Sequence, residues 1–463
     1  MNQSMRYEKT IPVHKVGDVL VVGGGPGGLA AAIASARNGA DTTLVERFGY
    51  LGGNLTAGLV GPCMTSYSLD GQTQLIKGIF EEMVVRMEEL GGAIHPRHIP
   101  AGSPYSGFIV YGHDKVTPFD PESVKFVALD MCREAGVKLR LHTFVADSIV
   151  EENAVTGVIA ASKSGLEALK AKITIDCSAD GDVAARAGAA FEQGRDSDGL
   201  MQPMTLFFRI KNIDDAVVEE YVSSHPEDYR PFASIVAKAR EAGEFSIPRK
   251  GVGLYKTTEP GIWRVNTTRL HTFDGTNVED LTNAEIAGRE QIKVLLKFFR
   301  KWLPGFENVQ IYDTAATMGV RETRRIVGEY TLTLEDLATA KEFDDVIGLC
   351  GYPVDIHSPT GDGGGADGEM PTANIYQMPY RSLVPLDIDG LLVAGRAISA
   401  THEAHGAVRV MPPVFALGQA AGTAAGLAIE YGVQPRDIPV PQLQEMLVRQ
   451  GAYLGERHEL AAT

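Results

Sequence analysis

The sequence predicts an α/β protein: a parallel sheet with packed helices, assembled from separated stretches of the chain, with an α+β domain inserted into it. Three observations carry this. A strand, a glycine turn, a helix and a second strand follow one another over residues 18–46. A short apolar run ending in glycine returns at 391–395 and leads towards a long helix of small residues. Between them, from about 190 to 345, mixed charges, alternating helix and strand signals and both tryptophans (Trp263 and Trp302) mark a region of different character.

Taken in order, Asp18–Val22 is a short apolar run of the kind buried in parallel sheets. Gly28–Asn38 is alanine-rich with polar residues on one side, a good helix. Asp41–Glu46 is the second strand and closes on a carboxylate. The glycine-rich YLGGNLTAGLVGP at 50–62 precedes a helix near Leu75–Leu90. Glu122–Ala135 has helical spacing, and Val137–His142 reads as the third strand. Three β-like runs, Ala146–Val150, Val155–Ala161 and Ala171–Asp176, lead into the small-residue turn CSADGDVAARAG. Leu391–Gly395 is a further central strand, and after an irregular loop a helix runs from Pro412 to about Glu430. The main domain then comprises 16–62, 115–190 and 346–435. Residues 63–114 and 191–345 form the inserted substrate or cap domain, and 436–463 a C-terminal tail or helix.

The 463 residues include 43 Lys and Arg against 59 Asp and Glu, a net charge of −16. That field repels phosphate backbones and anionic headgroups, which argues against nucleic acid or a membrane surface as partner. Hydrophobic residues at 44% and charged residues at 22% describe an ordinary globular chain. Cys63, Cys132, Cys177 and Cys350 lie far apart, without the pairing of a disulfide framework or a zinc or iron–sulfur site. No metal is expected. The first residues lack a signal-peptide core, and Val414–Ile429, the longest apolar run, is interrupted by Gln419 and Thr423. A cytoplasmic protein without a membrane span is the expectation, with a small-molecule substrate as partner and homo-oligomerisation left open.

Gly23, Gly25 and Gly28 spell G-x-G-x-x-G between strand and helix. The first glycine permits the tight turn, the second lets a pyrophosphate approach the backbone, and the third lets helix and strand pack closely. The phosphates of a dinucleotide then rest on the positive end of the helix dipole. Glu46, at the end of the second strand, is placed to accept ribose hydroxyls and to repel a 2′-phosphate. Gly363, Gly365 and Gly368 repeat the string without a strand before or a helix after, and read as a flexible, lid-like loop.

Four further segments carry a resemblance: 46–62, 175–189, 319–333 and 378–426, the last containing LLVAGRAISATHEAHGAVRVMPP. They are similar to FAD-dependent oxidoreductases with the glutathione-reductase-like, Rossmann-type FAD-binding fold. The resemblance implies FAD and assigns it residues. Gly23, Gly25, Pro26, Gly27 and Gly28 would cradle the pyrophosphate, with Glu46 and Arg47 at the adenosine. Gly52, Gly53 and Asn54 would line the pyrophosphate and ribityl chain. Val145 would meet the adenine, and Ala179, Asp180 and Gly181 belong to the second FAD motif. Gly395 and Arg396 would approach from the last strand. The helix opening at Pro412–Pro413 would direct its free amides at the reduced flavin.

A flavin leaves orientation and proton handling to the protein. THEAHGAVRVMP supplies His402, His405 and Arg409 beside the implied ring position, the histidines as base or acid and the arginine as a fork for a carboxylate or enolate. Glu403 is an alternative salt-bridge partner of Arg409, and a holding role for both histidines is the competing reading. His402 and His405 are three apart, not the four of a zinc-binding H-E-x-x-H. Arg324 and Tyr380 are further candidates, and Cys63 reads as a buried structural cysteine. The function implied is oxidation of a small oxygenated organic substrate by hydride transfer to flavin N5, by a dehydrogenase, oxidase or desaturase. Reoxidation by oxygen, a quinone or a carrier protein is left open. A redox-neutral hydratase, lyase or isomerase is the alternative, and a nucleotide-binding regulatory module the more distant one.

Overall fold

A computed structural model describes residues 5–361 and 372–461, so the second glycine string lies outside the described residues. The centre is a five-stranded parallel sheet in the order Leu391–Val393, Ile173–Asp176, Val19–Val22, Thr42–Val45, Lys138–Arg140. Sequence neighbours 19–22 and 42–45 lie side by side, while 173–176 and 391–393 join from far along the chain. The sheet is thus discontinuous in sequence, as expected.

Strand alternation decides what covers each face. Val19, Val21, Leu44, Ile175 and Leu392 join the helical layer, which contains Pro26–Arg37, Pro121–Glu134 and Met411–Tyr431. Leu20, Val22, Val45, Leu391 and Val393 face an antiparallel meander, Phe144–Glu151, Ala154–Ser162 and Gly165–Lys170. Both faces are covered, and Val19–Val22 and Leu391–Val393 accordingly carry apolar residues at every position. Of Ala171–Asp176, expected as one run, only Ile173–Asp176 is strand, and the strand just before it was not expected. Gly165–Lys170 belongs to the meander, and the chain changes sheet where the Lys172 and Ile173 amides both donate to the Asp18 carbonyl.

In the helical layer, Pro26–Arg37 and Met411–Tyr431 touch backbone to backbone. A methyl group on Gly418 would lie 2.1 Å from the Gly27 carbonyl oxygen, and one on Gly422 would lie 2.1 Å from that of Ala31. The run expected as a buried helix is therefore buried for a specific reason: only glycine fits the contact. Ile79–Glu89, expected on the cap side of residue 63, buries Ile79, Phe80, Met83, Val84 and Met87 in this same core.

A separate apolar core lies within 204–318. Its antiparallel sheet runs Leu254–Lys256, Trp263–Val265, Phe208–Lys211, Gln310–Thr314. The helix Val278–Trp302 packs on it, capped by Asn277, whose side chain accepts from the Glu279 and Asp280 amides. Trp263, Phe298, Phe299 and Phe306 fill this core. No helix among the described residues is long and apolar enough to cross a membrane.

Candidate active site

The parallel strands end at a cleft lined by Gly23, Glu46, Ala179 and Gly395, each just past a strand's carboxyl end. In open α/β sheets this is where ligands bind. The walls are backbone. Gly23 has φ +98° and Gly395 φ +122°, and a methyl on Gly53 would lie 2.7 Å from Gly25 Cα. Gly28 lies beneath the turn, where a methyl group would lie 1.7 Å from the Gly23 carbonyl oxygen. Pro26 opens the helix whose amino end faces the cleft. Glu46, 6% exposed, accepts from the Gly24 amide at 2.7 Å and the Phe48 amide at 2.9 Å. A carboxylate so oriented retains lone pairs for ribose hydroxyls. The cleft suits the FAD implied above: side-chain-free walls for a pyrophosphate, a helix amino end, and a fixed carboxylate.

Of the residues assigned to the cofactor, Gly23, Gly25, Pro26, Gly27, Glu46, Arg47, Gly53, Asn54, Val145, Ala179, Asp180, Gly395 and Arg396 line this cleft. Gly28, Gly52, Gly181 and Pro413 do not. Gly52 sits behind it, donating its amide to the Gly24 carbonyl, and Gly181 opens the helix Asp182–Arg186. At the helix Met411–Tyr431, Met411 and Val414 face the cleft in place of Pro413. Asp180 is fixed by the Thr323 hydroxyl and by Arg396.

The expected catalytic group divides. Arg409 reaches the site; the others do not line it. His402 to Val408 form a short helix, not a loop, capped by Thr401. Its histidines turn inward. His402 Nδ1 lies 2.9 Å from Glu322, a buried carboxylate that also holds Arg325 and the Gln202 amide. His405 Nε2 donates to the Arg396 carbonyl at 2.8 Å, and burial pushes its pKa down to about 3. Sequence proximity to the last strand placed them near the cleft, but the helix buries the side chains on its far side. Tyr380 is equally remote: its hydroxyl donates to the Pro435 carbonyl at 2.8 Å. Arg324 donates to Asp182 and the Asp180 carbonyl, steadying the second FAD motif instead of facing a substrate. Cys63 is fully buried, which pushes its thiol up to about 12.

A second cavity, about 140 Å³ against about 240 Å³ for the first, adjoins it. Asn54, Val320, Arg396, Arg409 and Met411 line both. The second is also lined by Arg230, Arg249, Arg321, His113, His357, Tyr255, Tyr352 and Asp355. Arg409 donates to the Asp355 carbonyl at 2.9 Å, with Asp355 Oδ2 at 3.4 Å, and the Tyr352 hydroxyl reaches the same oxygen at 3.3 Å. Burial raises Asp355, but His357, Arg409 and Arg321 outweigh it and hold the carboxyl well below its usual range. His357 Nε2 lies 3.4 Å from Asp355 Oδ1. Burial drives the imidazole well below its ordinary pKa against the pull of Asp355, and Arg321 adds to the shift. His357 is therefore neutral at pH 7.

Sequence reading missed most of this second cavity. Tyr352, Asp355 and His357 come from an irregular stretch with no motif, and Arg249 and Tyr255 from the region of mixed charge between 190 and 345. The one available signal was the RETRR cluster at 321–325, whose first arginine, not Arg324, reaches the cavity.

A family model described as FAD dependent oxidoreductase matches residues 18–447. Over 42 residues the chain is 55% identical to glutathione reductase from Schizosaccharomyces pombe, 9% of each chain. Over 47 residues it is 49% identical to dihydrolipoyl dehydrogenase from Trypanosoma brucei brucei, 10% of each chain. The chain thus matches only about a tenth of the length of these curated relatives. The crystal structure of p-nitrophenol 4-monooxygenase from Pseudomonas putida DLL-E4 aligns over 98% of this chain and 94% of its own, at 13% identity and a TM-score of 0.48.

Proposed function

The chain belongs to the FAD-dependent oxidoreductase family, and on that premise we propose that it oxidises a small oxygenated organic molecule seated in the second cavity. The observation that carries this reading is the shared wall: Asn54, Val320, Arg396, Arg409 and Met411 line both cavities, so a molecule in one meets what the other holds. In the first, Gly25, Pro26 and Gly27 would hold the FAD pyrophosphate, Glu46 its ribose, and Gly395 and Arg396 the part nearest the substrate. Bound FAD supplies the two-electron acceptor: a carbon-bound hydrogen leaves the substrate with its electron pair while the hydroxyl proton departs and a carbonyl forms.

Arg409, braced by Asp355, orients the substrate oxygen. His357 takes the hydroxyl proton. Its Nδ1 is buried and without a hydrogen-bond partner among the described residues, so that nitrogen's bonding capacity is unused within the chain. Asp355, beside Nε2, fixes the tautomer and stabilises the imidazolium that results, the role a carboxylate plays behind any catalytic histidine.

The test is an anaerobic screen of hydroxy acids, alcohols and cyclic ketones, following the flavin absorbance. A substrate should bleach it, and His357→Gln should slow the bleaching about 10²- to 10⁴-fold while FAD stays bound. Product formation with no bleaching would instead identify a redox-neutral hydratase, lyase or isomerase.

A further inference from the structure

We infer that the second cavity is built for a small molecule carrying two anionic oxyacid groups, carboxylate or phosphate. This deepens the reading above and rests on it for the chemistry, but not for the binding. Five arginines line the cavity against one carboxylate, Asp355, inside a chain whose net charge is −16. Two of the five are already matched: Arg396 pairs with Asp180 and Arg409 with Asp355. Arg230, Arg249 and Arg321 have no carboxylate partner among the described residues.

Burial makes that imbalance meaningful. Arg249 is 6% exposed and Arg321 is 8% exposed. Arg321 donates to the Pro203 carbonyl at 2.6 Å, the Thr205 hydroxyl at 2.8 Å and the Asn266 side-chain oxygen at 3.4 Å. Arg249 donates to the Asn266 carbonyl, and its Nε has no partner among the described residues. Every one of these acceptors is neutral. They satisfy hydrogen bonds without supplying a counter-charge, and a buried charge is ordinarily paired. Burial pushes Arg249 down to about 10 and Arg321 down to about 9, with Arg409 adding to the shift at Arg321. The cavity thus holds its guanidiniums at a cost that an incoming anion offsets.

One carboxylate would leave at least two of the three guanidiniums unmatched. Two carboxylates match two of the three, a carboxylate with a phosphate (about −1.5 to −2 at pH 7) matches nearly all of the charge, and the planar fork of arginine suits either oxyacid. The shared wall then acquires a specificity: Arg396 and Arg409 lie beside the cofactor cleft, whereas Arg230, Arg249 and Arg321 line the second cavity and not that cleft. The anion-selecting arginines are therefore separate from those bordering the cofactor.

The test uses the FAD-loaded protein and isothermal titration calorimetry under anaerobic conditions. Malate probes two carboxylates, 3-phosphoglycerate a carboxylate and a phosphate, lactate a single carboxylate, and 1,2-propanediol no charge. A dianion should bind about tenfold or more tightly than lactate, weakening as salt rises. Arg249→Gln and Arg230→Gln should each weaken dianion binding about 10- to 100-fold, as expected for a lost charge-assisted hydrogen bond, with partial recovery in Arg249→Lys. Arg230 is only partly buried, so its variant keeps the test open should Arg249→Gln fail to fold. Which dianion binds separates the dicarboxylate from the phosphorylated source. Equal binding of malate and propanediol, or folded glutamine variants that bind the dianion like wild type, would overturn the inference. A dianion that binds without bleaching the flavin upholds the anion site and defeats the oxidation reading. Bleaching by lactate or propanediol with no dianion binding does the reverse.

Discussion

The two adjoining cavities are made of different materials. The first is a backbone object, whose glycine-rich walls follow from local chain conformation at strand ends. The second is a side-chain object, whose arginines, tyrosines and histidines arrive from segments spread between residues 54 and 411. The first recognises what many nucleotides share, a pyrophosphate and a ribose. On the reading proposed above, the second is suited to the charge and shape of one class of molecule. Backbone recognition fails when an atom is added; side-chain recognition fails when an atom is removed.

Three substitutions sharpen or break that contrast. The largest effect is expected at Gly28→Ala. In an ordinary helix alanine is the better residue, but here its methyl would lie 1.7 Å from the Gly23 carbonyl oxygen. We expect a loss of about 3 kcal/mol and protein purified without yellow colour. A yellow variant of unchanged melting temperature would show that the turn is not the rigid cradle described. Glu46→Ala comes next, because it takes one fixed carboxylate from beside the backbone turn. Losing charge-assisted hydrogen bonds costs about 1.5–3 kcal/mol of FAD affinity, about 10- to 100-fold, read as flavin released on dilution. Flavin reduction by substrate in the molecules still loaded should be unchanged; slowed reduction at full occupancy would remove Glu46 from the ribose.

The smallest effect at neutral pH separates a histidine that holds structure from one that handles protons. His405 is neutral in the fold down to about pH 3, whereas in the unfolded chain it takes a proton below 6.5. Between those values the unfolded state binds more protons, so this residue's contribution to stability falls as pH falls and is flat above 6.5. The slope is about 1.4 kcal/mol for each pH unit below 6.5. Urea unfolding of wild type against His405→Gln should show that difference in slope, with flavin reduction rates alike at pH 7. Parallel pH profiles for stability, together with slowed reduction, would return His405 to the chemistry.

The same contrast explains what the sequence disclosed. Gly23 and Gly28 were legible because a positive φ at the first and a close approach at the second admit only glycine, and the flanking strand and helix are local patterns. The central sheet was legible too, since strands buried on both faces read as apolar runs. His357 and Asp355 carry no such mark: two residues in an irregular stretch acquire meaning only from arginines more than thirty positions away, such as Arg321. His402 and His405 misled for the complementary reason. They lie a few residues from the cleft along the chain, but helical geometry turns them onto Glu322 and the Arg396 carbonyl. Gly165–Lys170 escaped because GLEALK alternates weakly and carries two charges.

The contact of Gly418 with Gly27 and of Gly422 with Ala31 leaves no clearance for even one methyl. That seam ties the helix bearing Met411 to the helix that opens at the cofactor turn, so neither helix can shift without the other. The opposite wall obeys no such constraint: Arg230, Arg249, Tyr255 and His357 sit in separate segments, and exchanging one leaves the seam untouched. A substitution on that wall therefore alters what the second cavity presents while the packing beneath the cofactor turn stays as it is.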